Sequence, residues 1–167
     1  MSTRVLVAYG TKFGATGQIA AAIGDGLAQS GFEVDVLRAG QVRGVEDYDV
    51  VVLGSAVYLG RWVPEARRLL ERRELAGRDV WLFSSGPVGE QARSGAGENW
   101  TRPQRITRRG ERIGAHEHVV FGGAVSDRSG GFLRRRMAQS IDPASRDMRD
   151  WDEIAAWARK IATTHAA

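Results

Sequence analysis

The chain has 167 residues, 43% of them apolar, which is enough to bury one sizeable core and short of what two domains need, so a single domain over residues 1–167 is expected. Cysteine is absent, which removes disulfides, thiol nucleophiles, thiolate-bound zinc and iron–sulfur clusters; any redox chemistry must come from a bound organic cofactor. The net charge is +4, but the excess is local: Arg93, Arg102, Arg105, Arg108, Arg109 and Arg112 face only Glu98 and Glu111 between Gln91 and Arg112, and no zinc, helix-turn-helix or RNA-binding signature accompanies them, so nucleic acid is not an expected partner.

Arg4-Val-Leu-Val-Ala-Tyr9, closed by Gly10, is a continuous apolar run of the kind a strand covered on both faces requires. Met1-Ser2-Thr3-Arg4 runs straight into this strand, so no secretory signal is expected, and no apolar run reaches the roughly eighteen residues of a membrane span; a soluble, cytoplasmic protein is expected. A helix follows, with Thr16 as its expected N-cap, Ile19, Ile23 and Leu27 on one face and Gly31 just past its end. Phe32–Arg38 alternates as a second strand, and Asp49–Gly54 is a third, apolar throughout. Arg61–Arg73 is expected to be helical with Pro64 in its first turn, Arg78–Ser84 is a fourth strand and His116–Phe121 a fifth. The last helix runs from Trp151 to about Thr163, started by Asp150 and Glu153 in a capping-box spacing.

Strands alternating with helices imply an α/β fold with a parallel sheet, and right-handed crossovers favour five strands in the order 2-1-3-4-5 with helices on both faces, a flavodoxin-like arrangement. Gly89–Thr101 and Ser126–Arg149 break the alternation and are expected to be loops with short helices on the functional edge.

In an open parallel sheet a ligand binds outside the carboxyl ends of the strands, so three loops matter. The first is Thr11, Lys12, Phe13, Gly14, Ala15 and Thr16, which can wrap backbone N–H groups and two hydroxyls around a phosphate at a helix N-terminus. It is neither the dinucleotide fingerprint nor a Walker loop. The second, Ser55, Ala56, Val57, Tyr58 and Gly60, offers close backbone approach to a planar ligand and an aromatic, Tyr58 or alternatively Trp62, to lie against it. The third, Ser84, Ser85, Gly86, Pro87, Val88 and Gly89, suits backbone contacts with a ring. His116 and His118 alternate on a buried strand, so at least one is expected to be a satisfied core histidine, and His165 lies in the tail. No metal-ligand spacing or nucleophile–base pair stands out, and no catalytic residue is assigned.

The first loop resembles the phosphate loop of flavodoxins, Ser/Thr-x-Thr-Gly-x-Thr, through Thr11, Gly14 and Thr16. More narrowly, Thr11-Lys12, Gly54-Ser-Ala-Val57, Gly123-Ala124-Val125 and Asp150-Trp151 are similar to the flavodoxin-domain branch that includes menaquinone-dependent protoporphyrinogen dehydrogenase. That resemblance implies an FMN cofactor and oxidation of a reduced organic substrate with electrons passed onward. The alternatives are a non-catalytic electron-transfer protein and a variant using the deazaflavin F420. The branch departs here in Ser126–Arg149, where Phe132 is the sole aromatic and Arg134-Arg135-Arg136 could meet carboxylates or an anionic membrane surface. The chain's positive charge implies an anionic small-molecule or protein partner, and leaves the oligomeric state open.

Overall fold

The computed structural model describes residues 2–86, 103–124 and 146–166, together with positions 132, 136, 139 and 144. Strand β1 (Arg4–Gly10), helix α1 (Ala15–Gln29) and strand β2 (Glu33–Arg38) open the chain, followed by β3 (Val50–Tyr58), β4 (Arg61–Trp62) and α2 (Pro64–Leu70). Strand β5 (Asp79–Ser85), α3 (Gln104–Ile113), β6 (His118–Phe121) and α4 (Trp151–His165) complete it. The sheet runs β2-β1-β3-β5-β6, all parallel, with β4 paired antiparallel to the end of β3. The five parallel strands therefore have the expected order, and a sixth strand is added.

That sixth strand corrects the expectation of a helix from Arg61. Tyr58 pairs with Arg61 across a two-residue turn whose central residues, Leu59 and Gly60, have φ of 49° and 71°. Two successive positive φ values are the requirement of the tight hairpin turn that matches strand twist. The helix starts only at Pro64, where a missing N–H costs nothing.

Two further differences concern α1 and α3. Helix α1 begins at Ala15, and its N-cap is Gly14 at φ 95°, a left-handed conformation that glycine adopts without penalty; Thr16 is already the second helical residue. Helix α3 went unexpected because four of its ten residues are arginine. Its buried residues are Ile106, Gly110 and Ile113, a stripe at spacings of four and three, and Gly114 ends it at φ 74°.

The strands β1, β3 and β5 are buried along most of their length and covered by two separate apolar layers. Ile19, Ile23 and Leu27 of α1 join Ile154, Trp157 and Ile161 of α4 on one face. Ala66, Leu69 and Leu70 of α2 join Ile106 and Ile113 of α3 on the other. Each fully buried Leu or Ile contributes about 1.5–3 kcal/mol relative to exposure. The start of α4 is as expected, since the Asp150 carboxylate accepts from the N–H groups of Asp152 and Glu153 at 3.0 Å each. No helix of the described residues is long and apolar enough to cross a membrane.

Gly54, in the middle of the sheet, lies under the Phe83 ring, so that a Cβ there would collide with three ring carbons. Gly54→Ala is expected to lower the unfolding free energy by about 1–3 kcal/mol through overpacking, measured by urea denaturation.

Candidate functional site

The carboxyl ends of β1, β3 and β5 bring the three loops to one rim. In the first, the chain turns from β1 into α1 over residues 11–14. Thr11 is buried, and its hydroxyl oxygen accepts from the N–H of Gly14 at 2.9 Å and of Phe13 at 3.3 Å. This closes the loop from inside. From beneath, the Arg38 guanidinium at the end of β2 donates to the Thr11 carbonyl at 2.9 Å and lies 3.8 Å from Glu65. Arg38 was not singled out from sequence; the signal is a base at the last position of the strand beside β1.

The start of α1 carries no side-chain cap and no acidic residue in its first turn. The first N–H groups of a helix have no intrahelical partner and sit at the positive end of its dipole. Thr16, at the second helical position, is 1% exposed, and its hydroxyl is the one buried side-chain polar atom among the described residues that has no hydrogen-bond partner. An unsatisfied buried hydroxyl costs about 1–3 kcal/mol. Threonine in a helix has two accessible χ1 rotamers by which to aim its hydroxyl. A phosphate monoester at this helix end would supply acceptors for the open N–H groups and a partner for Thr16, with the exposed Lys12 beside it.

The second loop touches the first. The Phe13 and Tyr58 rings meet edge-on at 5.6 Å, and Lys12 Nζ stands 5.1 Å over the Tyr58 ring. Tyr58, Val57 and Gly60 are half-buried, whereas Ser55 and Ala56 are buried. The Ser55 hydroxyl donates to the Ala56 carbonyl at 2.8 Å and accepts from the Val63 N–H at 3.0 Å, so it anchors the hairpin and the start of α2. Leu59, at the hairpin tip, is 84% exposed and is the one non-glycine residue with positive φ among the described residues. Sequence reasoning passed over it, because an isolated leucine before glycine carries no periodic signal.

In the third loop, Ser84 and Ser85 are buried and Gly86 half-buried; Pro87, Val88 and Gly89 lie outside the described residues. The Trp62 indole N–H donates to Ser84 Oγ at 2.8 Å. The hydroxyls of Ser84 and Thr107 occupy the two ring nitrogens of His118, at 2.8 Å and 3.1 Å. Trp62, 1% exposed, is therefore a core residue joined to the sheet and unable to lie against a ligand, which leaves Tyr58 as the candidate of the two aromatics read from the second loop. His118 is the satisfied histidine that alternation led one to expect. His116 precedes β6 and is exposed, and His165 sits in the last turn of α4 rather than in a free tail.

Of the two irregular segments, residues 89–101 lie outside the described residues, as does most of 126–149, including Arg134 and Arg135; Arg136 is exposed beside Phe132. The end of the second segment is described. The Arg149 guanidinium holds Asp147 through two hydrogen bonds of 2.9 and 2.7 Å, its backbone N–H adds a third at 3.1 Å, and the guanidinium also donates to Gln18 in the first turn of α1. The Arg149 hydrogen bonds keep the Asp147 carboxyl below its ordinary range, and the Gln18 contact places this stretch beside the N-terminal end of α1.

A doubly wound parallel sheet in the order β2-β1-β3-β5-β6, with an uncapped helix N-terminus at the end of its first strand, defines a flavodoxin-like α/β protein. The chain belongs to the flavodoxin domain family, whose model matches residues 6–151. Among solved structures it is similar to flavodoxin 2 from Bacillus cereus, with 24% identity over 97% of this chain and 99% of that one and a TM-score of 0.67. A short-chain flavodoxin associated with a non-canonical PDU bacterial microcompartment shares 17% identity over 99% and 100% of the two chains, at a TM-score of 0.67. A flavodoxin from the domain Archaea shares 14% over 97% and 98%, at 0.66. These likenesses speak for the fold. No curated protein matches the sequence.

Left-handed backbone at Leu59 costs about 1–2 kcal/mol that Asn or Gly would largely avoid. Leu59→Asn is expected to raise the stability of the cofactor-free protein by about 1 kcal/mol in chemical denaturation, and to weaken binding of any ring seated against the hairpin. A variant that gained no stability would show that the turn is unstrained.

Proposed function

We propose that the protein binds FMN and uses it for electron or hydride transfer with an anionic substrate or partner. The observation that carries this is the start of α1, an uncapped helix N-terminus with a buried, partnerless Thr16 hydroxyl. The N–H groups of residues 15–17 and the hydroxyl of Thr16 would hold the phosphate, and Lys12 would add a positive charge. Tyr58, Gly60, Ser85 and Gly86 would border the ring. Thr11 and Arg38 act as positioning residues, since their bonds are spent on the loop itself. Bound there, the flavin would accept and return electrons, and the protein would orient it and exclude water from one side.

Charge supports an anionic partner. The α2 and α3 segments, residues 61–75 and 103–114, carry nine arginines against four acids, whereas α1 and α4 carry two bases against three acids. The finer reading, oxidation of an anionic tetrapyrrole in the manner of a protoporphyrinogen dehydrogenase, is supported by the similarity at Lys12, at residues 54–57 and at Asp150-Trp151.

The purified protein is expected to be yellow and to release a chromophore with the mass of FMN. A deazaflavin released instead would overturn the cofactor, and failure to take up either at micromolar concentration would overturn the reading. Thr16→Val is expected to weaken FMN by about 1–3 kcal/mol, roughly five- to 150-fold in dissociation constant, followed by flavin fluorescence. Turnover of a porphyrinogen separates the dehydrogenase from a plain electron carrier.

A further inference from the structure

Away from the rim, at the opposite end of the sheet, three side chains from three elements converge. Asp79 opens β5, His116 lies just before β6 and His165 is in the last turn of α4; one ligand atom from each lies within 4.8 Å of the others. The chain has only three histidines, and two of them meet at this single carboxylate. We propose that Asp79, His116 and His165 form a binding site for a borderline divalent cation, with Zn²⁺ as its natural occupant.

The distances suit such an ion. His116 Nε2 is 2.8 Å from one Asp79 oxygen, and His165 Nδ1 is 3.9 Å from the other. Ligand bonds of about 2.0–2.1 Å set the edges of a tetrahedron at about 3.3 Å, between these two separations, so small side-chain rotations open the site. Two imidazoles with one carboxylate select zinc, cobalt or nickel over magnesium or calcium, which want oxygen ligands. Asp79 and His116 are 54% and 34% exposed, which leaves water access to a fourth position.

The ligands also stand on a rigid base. The buried Trp81 ring stacks flat on His116, at 4.6 Å and 11°, and its indole N–H donates to His165 Nε2 at 2.9 Å. Trp157 packs edge-on against the same indole. The indole bond places the His165 ring proton on Nδ1, facing Asp79. Coordination through Nδ1 therefore displaces that proton and gives up the indole bond, a cost that three metal–ligand bonds must exceed. Linear sequence concealed the site because its members are 37 and 49 residues apart and have no motif spacing.

The site is independent of the flavin reading, and its test is direct titration. The full chain, freed of metal with a chelator, is titrated with Zn²⁺ by calorimetry. One Zn²⁺ per chain is expected, with a dissociation constant of about 10 μM or lower, and excess Mg²⁺ should not compete. Asp79→Asn and His116→Gln, both at exposed positions, should each weaken binding by about tenfold or more, while Asp25→Asn on α1 should not. Circular dichroism verifies that each variant is folded, and if His116→Gln is not, Asp79→Asn alone decides. Absence of binding below about 100 μM would overturn the site and leave a His116–Asp79 hydrogen bond that pins the start of β5. Wild-type affinity in folded Asp79→Asn would also overturn it, as would competition by Mg²⁺.

Discussion

Strands buried on both faces have no freedom in where their polar chemistry emerges. Along β1, β3 and β5 the backbone groups pair sideways within the sheet and the side chains meet helices above and below, so a ligand can be reached only where the strands end. That constraint fixes the rim. It also requires that polar side chains at the last buried positions find partners inside the protein. Ser55 and Ser84 do so, one by holding the α2 N-terminus, the other through Trp62 and His118. These two serines, read from sequence as ligand-facing, are better understood as the fasteners that let the loops beyond them take a defined shape.

Against that background the Thr16 hydroxyl is the exception. Every other buried side-chain polar atom among the described residues is satisfied. Its neighbours are organised in the opposite way: Thr11 and Arg38 commit their hydrogen bonds to the loop backbone, and this leaves the helix N–H groups facing outward. A rigid loop with one open set of donors is pre-organised for an anion, because the conformational cost of assembling it is met in folding rather than in binding. Leu59 shows the same logic in the next loop, where an apolar side chain is held in solvent on strained backbone.

Much of this was legible in the sequence, and the failures have physical reasons. Continuous apolar runs marked β1, β3 and β5 because strands covered on both faces cannot alternate. The parallel order followed from alternation with helices. Asp150 was readable as a cap because its carboxylate acts on backbone within three residues. Arg61–Trp62 was not readable as a strand, since a two-residue hairpin is too short to show any period, and its turn depends on the backbone of Leu59 as much as on Gly60. Helix α3 was hidden by arginines whose charge dominated its composition, while the three residues that bury it are spread thinly. Trp62 illustrates the limit for the site: an aromatic beside a candidate ligand loop looks the same in sequence whether its indole faces a ring or, as here, a serine of strand β5.

The charge distribution adds a direction to this architecture. Arg109 donates to the Leu70 carbonyl and Arg72 to the Val42 carbonyl, so part of the arginine excess is structural, capping chain ends on the α2 and α3 side. Arg67, Arg68, Arg105, Arg108 and Arg112 remain exposed there. On the far side of the sheet α1 and α4 bury small residues against each other and carry slightly more acid than base. A molecule so polarised orients in the field of an approaching anion before contact, and orientation matters most where transfer occurs through a single exposed rim. The rim at the ends of β3 and β5 adjoins the hairpin, so under the proposed function a partner drawn to the basic side would arrive beside Tyr58 and Leu59 rather than behind the sheet.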